Sequence, residues 1–403
     1  MKEHVPFVDL LEASGYYTGF TGKGVDPFQY ARNDQDTLWR KGNAAGHPFN
    51  KYKYEKNISS DLRTAKGIGL TNYYENFRSF MQQRKDGQPF YFWYGATEPH
   101  RVYEKGSWKR NGKSLDQVDV PGFLPDSEEV RGDMLDYAVE IEWADSHLSK
   151  MLEYLDSIGE LNNTIVIVTA DNGMPFPRAK ANCFEYGVHV PFAVSYPKGF
   201  PGKRRVDDPI SFVDIAPTIL EIAGVKPDGM LPISGRSFMN ILKSKKEGIV
   251  DQSKKYVYMG RERHSSSRWQ NLGYPQRAVR NQDYLLIWNL RPERWPAGAP
   301  QMLNKKTGEL CPMYGIGEDG TFHPDWAFTD VDDAPSKTFL IENHKDPVIR
   351  PYFDLAFNKR PEFELYCIGN DPFCLDNLIG KKDYAEIENE LKQALLEELK
   401  RSE

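Results

Sequence analysis

The chain has 403 residues, a formal net charge of −6, 39% hydrophobic residues and four cysteines. That length supports a large core in two domains, and the composition is that of a globular protein. No apolar run is long enough to span a bilayer. The acidic balance disfavours a nucleic-acid binder but leaves room for a local basic patch on a polyanion, and Cys183, Cys311, Cys367 and Cys374 lack zinc-ligand spacing.

Met1 is followed by charged Lys2 and Glu3, so no export signal is expected in the chain as given. Val8, Leu10 and Leu11 give one apolar face of a short helix closed by Ser14-Gly15. Tyr16 to Thr21 reads as a strand ending in Gly22-Lys23-Gly24. A Lys between two glycines at a strand end can approach an anion closely, and it also makes an ordinary turn. Residues 26–70, with His47-Pro48-Phe49-Asn50-Lys51, read as a polar, irregular loop. A helix is expected from Asn72 to Arg84 with Phe77 and Phe80 inside. Phe90 to Gly95 follows as an aromatic strand of buried type. It ends in Ala96-Thr97-Glu98-Pro99-His100-Arg101, which puts His100 at a strand end. Arg101, Lys105, Lys109, Arg110 and Lys113, with Tyr103 and Trp108, form a basic loop with aromatic faces; a solvated charged loop fits equally.

Ser127 reads as the N-cap of a long helix with Glu128 and Glu129 in its first turn. Ile141, Ala144, Leu148, Met151 and Leu155 form its apolar stripe, His147 sits beside them as a structural residue, and Gly159 ends it. The β-branched run Ile165 to Thr169 reads as a central strand of a parallel sheet. Helix followed by strand is the logic of a doubly wound sheet.

Asp171-Asn172-Gly173 follows that strand at once, where α/β sheets bind ligands. A carboxylate and an amide are hard oxygen ligands for Ca²⁺ or Mg²⁺, and the same tripeptide is good turn chemistry. Lys180 follows, then Glu185-Tyr186-Gly187-Val188-His189-Val190-Pro191 and an apolar run, Phe192 to Tyr196. A cation near an acidic metal site suggests an anionic substrate. Val213 to Thr218 reads as a helix entry, and Lys243 to Lys255 as a domain boundary. Tyr256–Gly260, Arg277–Arg280 and Tyr284–Trp288 read as strands of a smaller antiparallel unit, with Arg261-Glu262-Arg263-His264 in a polar loop. Cys367 and Cys374 flank a turn and are open to a disulfide or to free thiols. Ile387, Leu391, Leu395 and Leu399 make the last helix, Tyr384 to Arg401, amphipathic.

The Asp-Asn-Gly, the following Lys and the E-x-G-V-x-x-P phrase resemble the type I sulfatases of the alkaline-phosphatase superfamily. DNGMPFPRAKAN is most similar to the heparan N-sulfatase (sulfamidase) branch, and Tyr274 to Arg280 matches that branch's Y-P-x-R-x-V-R. The resemblance implies a doubly wound mixed α/β sheet over residues 1–243 and a smaller C-terminal α+β subdomain on an antiparallel sheet over 256–403. It implies Asp171 and Asn172 as calcium ligands and Lys180 as the holder of the sulfate oxygens. Lys23 would be the active-site lysine, and His100 the contact to sulfate and the general acid. Arg101, Glu262 and His264 become candidate substrate contacts. The family has a His two residues after the lysine, where this chain has Val25.

That family begins with a strand ending in Asp-Asp, then a C-x-P-S/A-x-R segment or its Ser form, whose Cys or Ser becomes formylglycine. Neither occurs here; Asp207-Asp208 and Asp332-Asp333 lie in other contexts. The nucleophile is therefore expected only in an intact protein of which this chain is the C-terminal majority. The implied function is calcium-dependent hydrolysis of sulfate from a sulfated glycan, heparan-type N-sulfoglucosamine first. The alternatives are a non-catalytic binder of sulfated glycans, a 6-O or 2-O sulfatase, and a related phosphoesterase. Lys23, His100 and Lys180 favour sulfate, because phosphatases of the superfamily generally use two zinc ions with more His and Asp ligands. The full-length family is expected to be periplasmic, secreted or lysosomal, and the oligomeric state is left open.

Overall fold

The computed structural model describes residues 4–25, 42–55, 64–264 and 268–402, with the side chain of Trp269 excepted. Residues 26–41 and 56–63 of the expected polar loop lie outside the described residues. In chain order the elements are α1 (Phe7–Ala13), β1 (Tyr17–Gly22), β2 (His47–Pro48), α2 (Tyr73–Gln83), β3 (Phe90–Gly95), α3 (Ser107–Arg110), α4 (Glu128–Ser157), β4 (Val166–Thr169), α5 (Glu185–Val188), β5 (Phe192–Ser195), α6 (Ile215–Ala223), α7 (Met239–Lys243), β6 (Val257–Arg261), β7 (Gln276–Arg280), β8 (Tyr284–Asn289), α8 (Pro335–Glu342), α9 (Arg350–Phe357), β9 (Phe363–Cys367) and α10 (Ala385–Ser402). The chain packs as two discontinuous units, one of residues 1–100, 138–166 and 195–252, the other of 101–137, 167–194 and 253–403. Residues 101–137 and 167–194 pack with the C-terminal part because their apolar side chains complete its core. Among the described residues no helix is long and apolar enough to cross a membrane.

In the first unit, β1 is the middle strand of a parallel sheet in the order β2-β1-β3. Its residues Thr18 to Thr21 are buried. The α2 helix lies so close that a Cβ on Gly19 would meet the Phe80 ring at 2.7 Å. Asn72 caps α2, its side chain accepting from the Glu75 N–H at 3.1 Å. Phe77 and Phe80 are buried as expected, in a cluster with Tyr73, Met81, Met151 and Leu155. The β3 strand is not the fully buried type expected. Phe92 and Tyr94 face that cluster, Tyr91 pairs in the hydrogen-bond ladder beside them, and Trp93 is 40% exposed.

Ser127 does cap α4, accepting from the Val130 N–H at 3.3 Å. The stripe of α4 differs from expectation: Ile141 is 41% exposed, and the buried positions run Val139, Trp143, His147, Met151, Leu155. Steps of four on a 3.6-residue repeat drift around the axis, so the buried face of a long helix turns with them. His147 therefore sits on the stripe, ringed by Tyr54, Tyr73 and Trp143. Its Nδ1 accepts from the Tyr74 N–H at 3.2 Å. Burial pushes its pKa down to about 4.

In the second unit, β6-β7-β8-β9 form an antiparallel sheet. The alternation of strand residues divides two cores cleanly. Val279, Leu286 and Leu365 meet Leu391 and Leu395 of α10 on one face. Ala278, Leu285, Ile287 and Tyr366 meet Cys183 and Phe184 on the other. A third core joins Phe176 and Ala179 to Leu340, Ile341, Phe353 and Phe357 of α8 and α9. The β4 strand, read as central, pairs with β5 alone among the described residues, and Val168 is 41% exposed. All four cysteines are free thiols, which resolves the Cys367–Cys374 alternative. Burial pushes the Cys183 and Cys374 thiols up to about 12.

A buried ion pair ties this unit together. The Arg101 guanidinium meets Asp133 of α4 through both oxygens, at 2.7 and 2.8 Å, with 4% and 1% of the two side chains exposed. Arg101 Nε donates to the Pro175 carbonyl at 2.9 Å, and its guanidinium lies over the Tyr103 and Phe176 rings. Asp133 also accepts from Ser336 Oγ at 2.6 Å.

Two outcomes are expected. Asp133→Ala strands a buried guanidinium and lowers stability by about 3–5 kcal/mol, whereas Arg101→Met with Asp133→Leu recovers part of that loss; urea unfolding measures both. For His147, the unfolded imidazole binds a proton below its ordinary pKa of 6.5 while the folded one does not until about 4. Stability from this group is therefore present above pH 6.5 and is lost, on the order of 3 kcal/mol, as pH falls toward 4. His147→Gln keeps an acceptor for the Tyr74 N–H, and its stability deficit should shrink over that window.

Candidate functional site

The expected site residues divide between the two packing units. In the first, β1 and β3 run in parallel register to their ends, Gly22 opposite Gly95. Gly22 has φ +79°, and a Cβ there would lie 2.0 Å from the Gly95 carbonyl oxygen. Only glycine permits that approach. It lets the Lys23 N–H donate to Gly95 O at 2.6 Å, while Trp93 Nε1 donates to Lys23 O at 3.0 Å. Asn50 of the polar loop closes the turn, accepting from Gly22 N at 2.8 Å and Thr21 Oγ1 at 3.1 Å. Lys23 is thus held by its backbone at a strand end.

His100 lies beyond the end of the neighbouring β3 and is exposed. Its N–H donates to Thr97 O at 2.9 Å. Buried Glu98 accepts from Tyr73 Oη at 2.7 Å and Gly69 N at 2.8 Å, and Tyr73 Oη accepts from Thr97 N at 3.0 Å. Burial, then the Glu98 charge, raises the Tyr73 pKa, so the phenol stays a donor. Lys23 and His100 therefore follow the carboxyl ends of adjacent parallel strands, the rim where open α/β sheets bind ligands.

In the second unit, Asp171 is exposed at the end of β4, and Asn172 Nδ2 donates to Gly173 O at 2.8 Å. The loop behind them is locked by glycine. A Cβ on Gly173 would lie 1.9 Å from Tyr186 O, and Gly173 N donates to Gly187 O at 3.0 Å. Lys180 N donates back to Met174 O at 3.1 Å. The Lys180 ammonium pairs with Asp332 Oδ2 at 2.7 Å, with 11% and 20% of the side chains exposed. Glu185 is buried, which pushes its pKa up, but hydrogen bonds from His189 and Arg280 outweigh burial and hold it below the usual range.

Three candidate substrate contacts fall differently. Arg101 is spent in the Asp133 pair, and Tyr103 is buried beneath it, so neither offers a face to a sugar. Glu262 is exposed and pairs with Arg277. His264 Nδ1 bonds the Asp330 carbonyl at 3.0 Å. Asp330 is the hub that sequence reasoning missed. Its carboxylate takes Arg261 at 2.7 Å and Arg268 at 2.5 Å, all three side chains nearly buried. Burial lowers the Arg261 pKa to about 10 against the opposing Asp330 charge. Lys180, Ala181, Asn182, Arg261, Ala297 and Asp330 line a recess beside this hub. Asp330 and Asp332 follow a long irregular stretch with no periodicity to mark them, and only Asp-rich composition signals them.

Asp171 and Asn172 supply at most three side-chain oxygen donors, while calcium takes six to eight. Among the described residues no group of three or more His, Cys, Asp or Glu is placed to hold a metal ion. The residues described here do not by themselves fit a calcium cage. The cysteines likewise do not fit a formylglycine precursor: none of the four has Pro two residues on and Arg four residues on.

Comparisons with known proteins show the family. Residues 1–225, more than half of the chain, match the sulfatase family, and residues 179–296 match the C-terminal region of N-sulphoglucosamine sulphohydrolase. An ulvan-active sulfatase of Formosa agariphila is 25% identical, covering 78% of this chain and 52% of the relative. Human N-sulphoglucosamine sulphohydrolase is 26% identical, covering 70% of this chain and 56% of the relative. The chain thus spans about half the length of these relatives. A solved protein in complex with its substrate D-glucosamine-2-N,6-O-disulfate covers 98% of this chain and 81% of its own at TM-score 0.57 and 17% identity. A 2-O GAG sulfatase covers 98% of this chain and 74% of its own at TM-score 0.58 and 14% identity. These likenesses show the fold, a doubly wound α/β sheet of the alkaline-phosphatase type with a C-terminal antiparallel subdomain. The chain belongs to the sulfatase family.

Proposed function

We propose that this protein hydrolyses sulfate from a sulfated saccharide, with heparan-type N-sulfoglucosamine first among its substrates. The observation that carries the reading is Lys180. It stands on a glycine-locked loop a few residues after Asp171-Asn172, with its ammonium held by a carboxylate at 2.7 Å. The glycine-locked backbone fixes where that cation stands, which is what binding an oxyanion requires. The match of residues 179–296 to the C-terminal region of N-sulphoglucosamine sulphohydrolase supports the choice of sugar.

In this reading Lys180 binds sulfate oxygens; by the family resemblance Lys23 is the candidate active-site lysine, and His100 the candidate acid for the leaving nitrogen or oxygen. Asp171 and Asn172 are calcium ligands by the family resemblance alone, and no step is routed through the ion. Glu262 and His264 are candidate contacts to the sugar. No step is assigned to a nucleophile, because no cysteine here fits that role. Binding of sulfated glycans without turnover is a second reading, favoured by the absence from this sequence of any cysteine followed by Pro at two and Arg at four residues on.

The test uses protein expressed from its native gene, assayed for sulfate release from N-, 6-O- and 2-O-sulfated glucosamine or uronate saccharides. Release from N-sulfoglucosamine is expected, reduced about 100-fold in kcat/KM by Lys180→Ala. Undiminished turnover in that variant removes Lys180 from the site. Release from an O-sulfated sugar alone overturns the choice of substrate, and saturable binding without release establishes the second reading.

A further inference from the structure

The carboxylate that holds Lys180 is built with more care than a surface ion pair requires. Exposed pairs contribute little and need no scaffold. Asp332 stands on a segment pinned on both sides. Before it, Asp330 is clamped by Arg261 and Arg268. Beside it, the Lys337 ammonium, wholly buried, donates to Val331 O at 3.1 Å, Asp333 Oδ1 at 3.0 Å and Pro324 O at 3.4 Å. Burying an ammonium costs free energy, and Lys337 is held below its ordinary pKa by that burial against the Asp333 charge. A buried cation here has one evident effect: it fixes the backbone from Val331 to Asp333. Asp332 itself keeps 20% of its side chain exposed beside Lys180.

A fixed carboxylate next to a sulfate-binding cation is an odd choice for sulfate alone, because it repels the anion that Lys180 attracts. It suits a substrate whose product is of the opposite sign. Hydrolysis of a sulfamate consumes one water, R–NH–SO₃⁻ + H₂O → R–NH₃⁺ + SO₄²⁻. The N–S bond breaks, the sulfur gains the water oxygen, and the nitrogen takes up both protons. A sulfate ester releases a neutral hydroxyl instead. We infer that Asp332 is a specificity-determining residue that pairs with the amino nitrogen of the sugar, selecting amino sugars that carry the sulfate on nitrogen over O-sulfated ones. This rests on the sulfated-saccharide reading above and deepens it. In the unliganded protein Asp332 pairs with Lys180; with sulfate on Lys180, that contact is exchanged for one to the nitrogen.

The test is binding, so it does not depend on turnover. Glucosamine and N-acetylglucosamine are titrated separately into the whole protein in the presence of saturating inorganic sulfate, and each is followed by calorimetry. Glucosamine, an ammonium ion, should bind at least 10-fold more tightly than its neutral N-acetyl analogue. Asp332→Asn should abolish that preference, and Asp332→Glu should retain most of it. Unfolding midpoints check that the variants are folded, and Asp332→Ser replaces Asn if that variant is not. No preference in the wild-type protein, or an unchanged preference in the neutral variant, overturns the inference. In the hydrolysis assay, Asp332→Asn should lower the ratio of N-sulfate to 6-O-sulfate turnover at least 10-fold. Wild-type protein that neither binds nor cleaves any sulfated sugar overturns the underlying reading instead, which keeps the two failures distinct.

Discussion

The second unit depends on one carboxylate, Asp133. It is nearly excluded from water, and so is the guanidinium it meets. Neither charge can persist there alone, so every group that satisfies them is fixed in place. Arg101 reaches Pro175, which follows Asp171-Asn172 by three residues. Ser336 of α8 bonds the same carboxylate, and Lys337 follows it in the chain. Lys337 in turn holds the Val331 carbonyl and Asp333. One buried pair therefore connects the Lys180 loop with the segment that presents Asp332. Their 2.7 Å contact is the outer end of a chain of buried polar bonds.

The two units place their cations by different physics. Lys23 is placed by backbone, through the close approach of Gly22 to Gly95. Lys180 is placed by backbone and charge together, with Gly173 locking the loop and Asp332 holding the ammonium. The arginines around Asp330 differ from Lys180 in how far their charges are enclosed. Arg261 and Arg268 spend donors on one buried carboxylate and on the Pro296 carbonyl, whereas the Lys180 pair stays partly open to solvent.

Much of this was legible in the sequence, and the losses have physical causes. Asn72 and Ser127 announced their helices because an N-cap is a local interaction. Val279, Leu286 and Leu365 alternate with Ala278, Leu285 and Tyr366 because the sheet carries a core on each face, yet β9 was missed because Glu364 interrupts it. That carboxylate is buried and accepts from Asn289 Nδ2 and Tyr366 Oη, a partnership between distant segments. Arg101 was read as a sugar contact because its fate is decided by Asp133, which lies on another element. Asp330 and Asp332 were passed over for the same reason. Residues whose role is set by neighbours in sequence were found, and those whose role is set by neighbours in space were not.

The central claim is that Lys180 binds the sulfate of a sulfated sugar. Calorimetric titration of N-sulfoglucosamine into the wild-type protein and into Lys180→Ala tests it most directly. The account predicts saturable binding that weakens at least 10-fold in the variant, about 1.4 kcal/mol or more, with the unfolding midpoint unchanged. Equal affinity in the two proteins would contradict it.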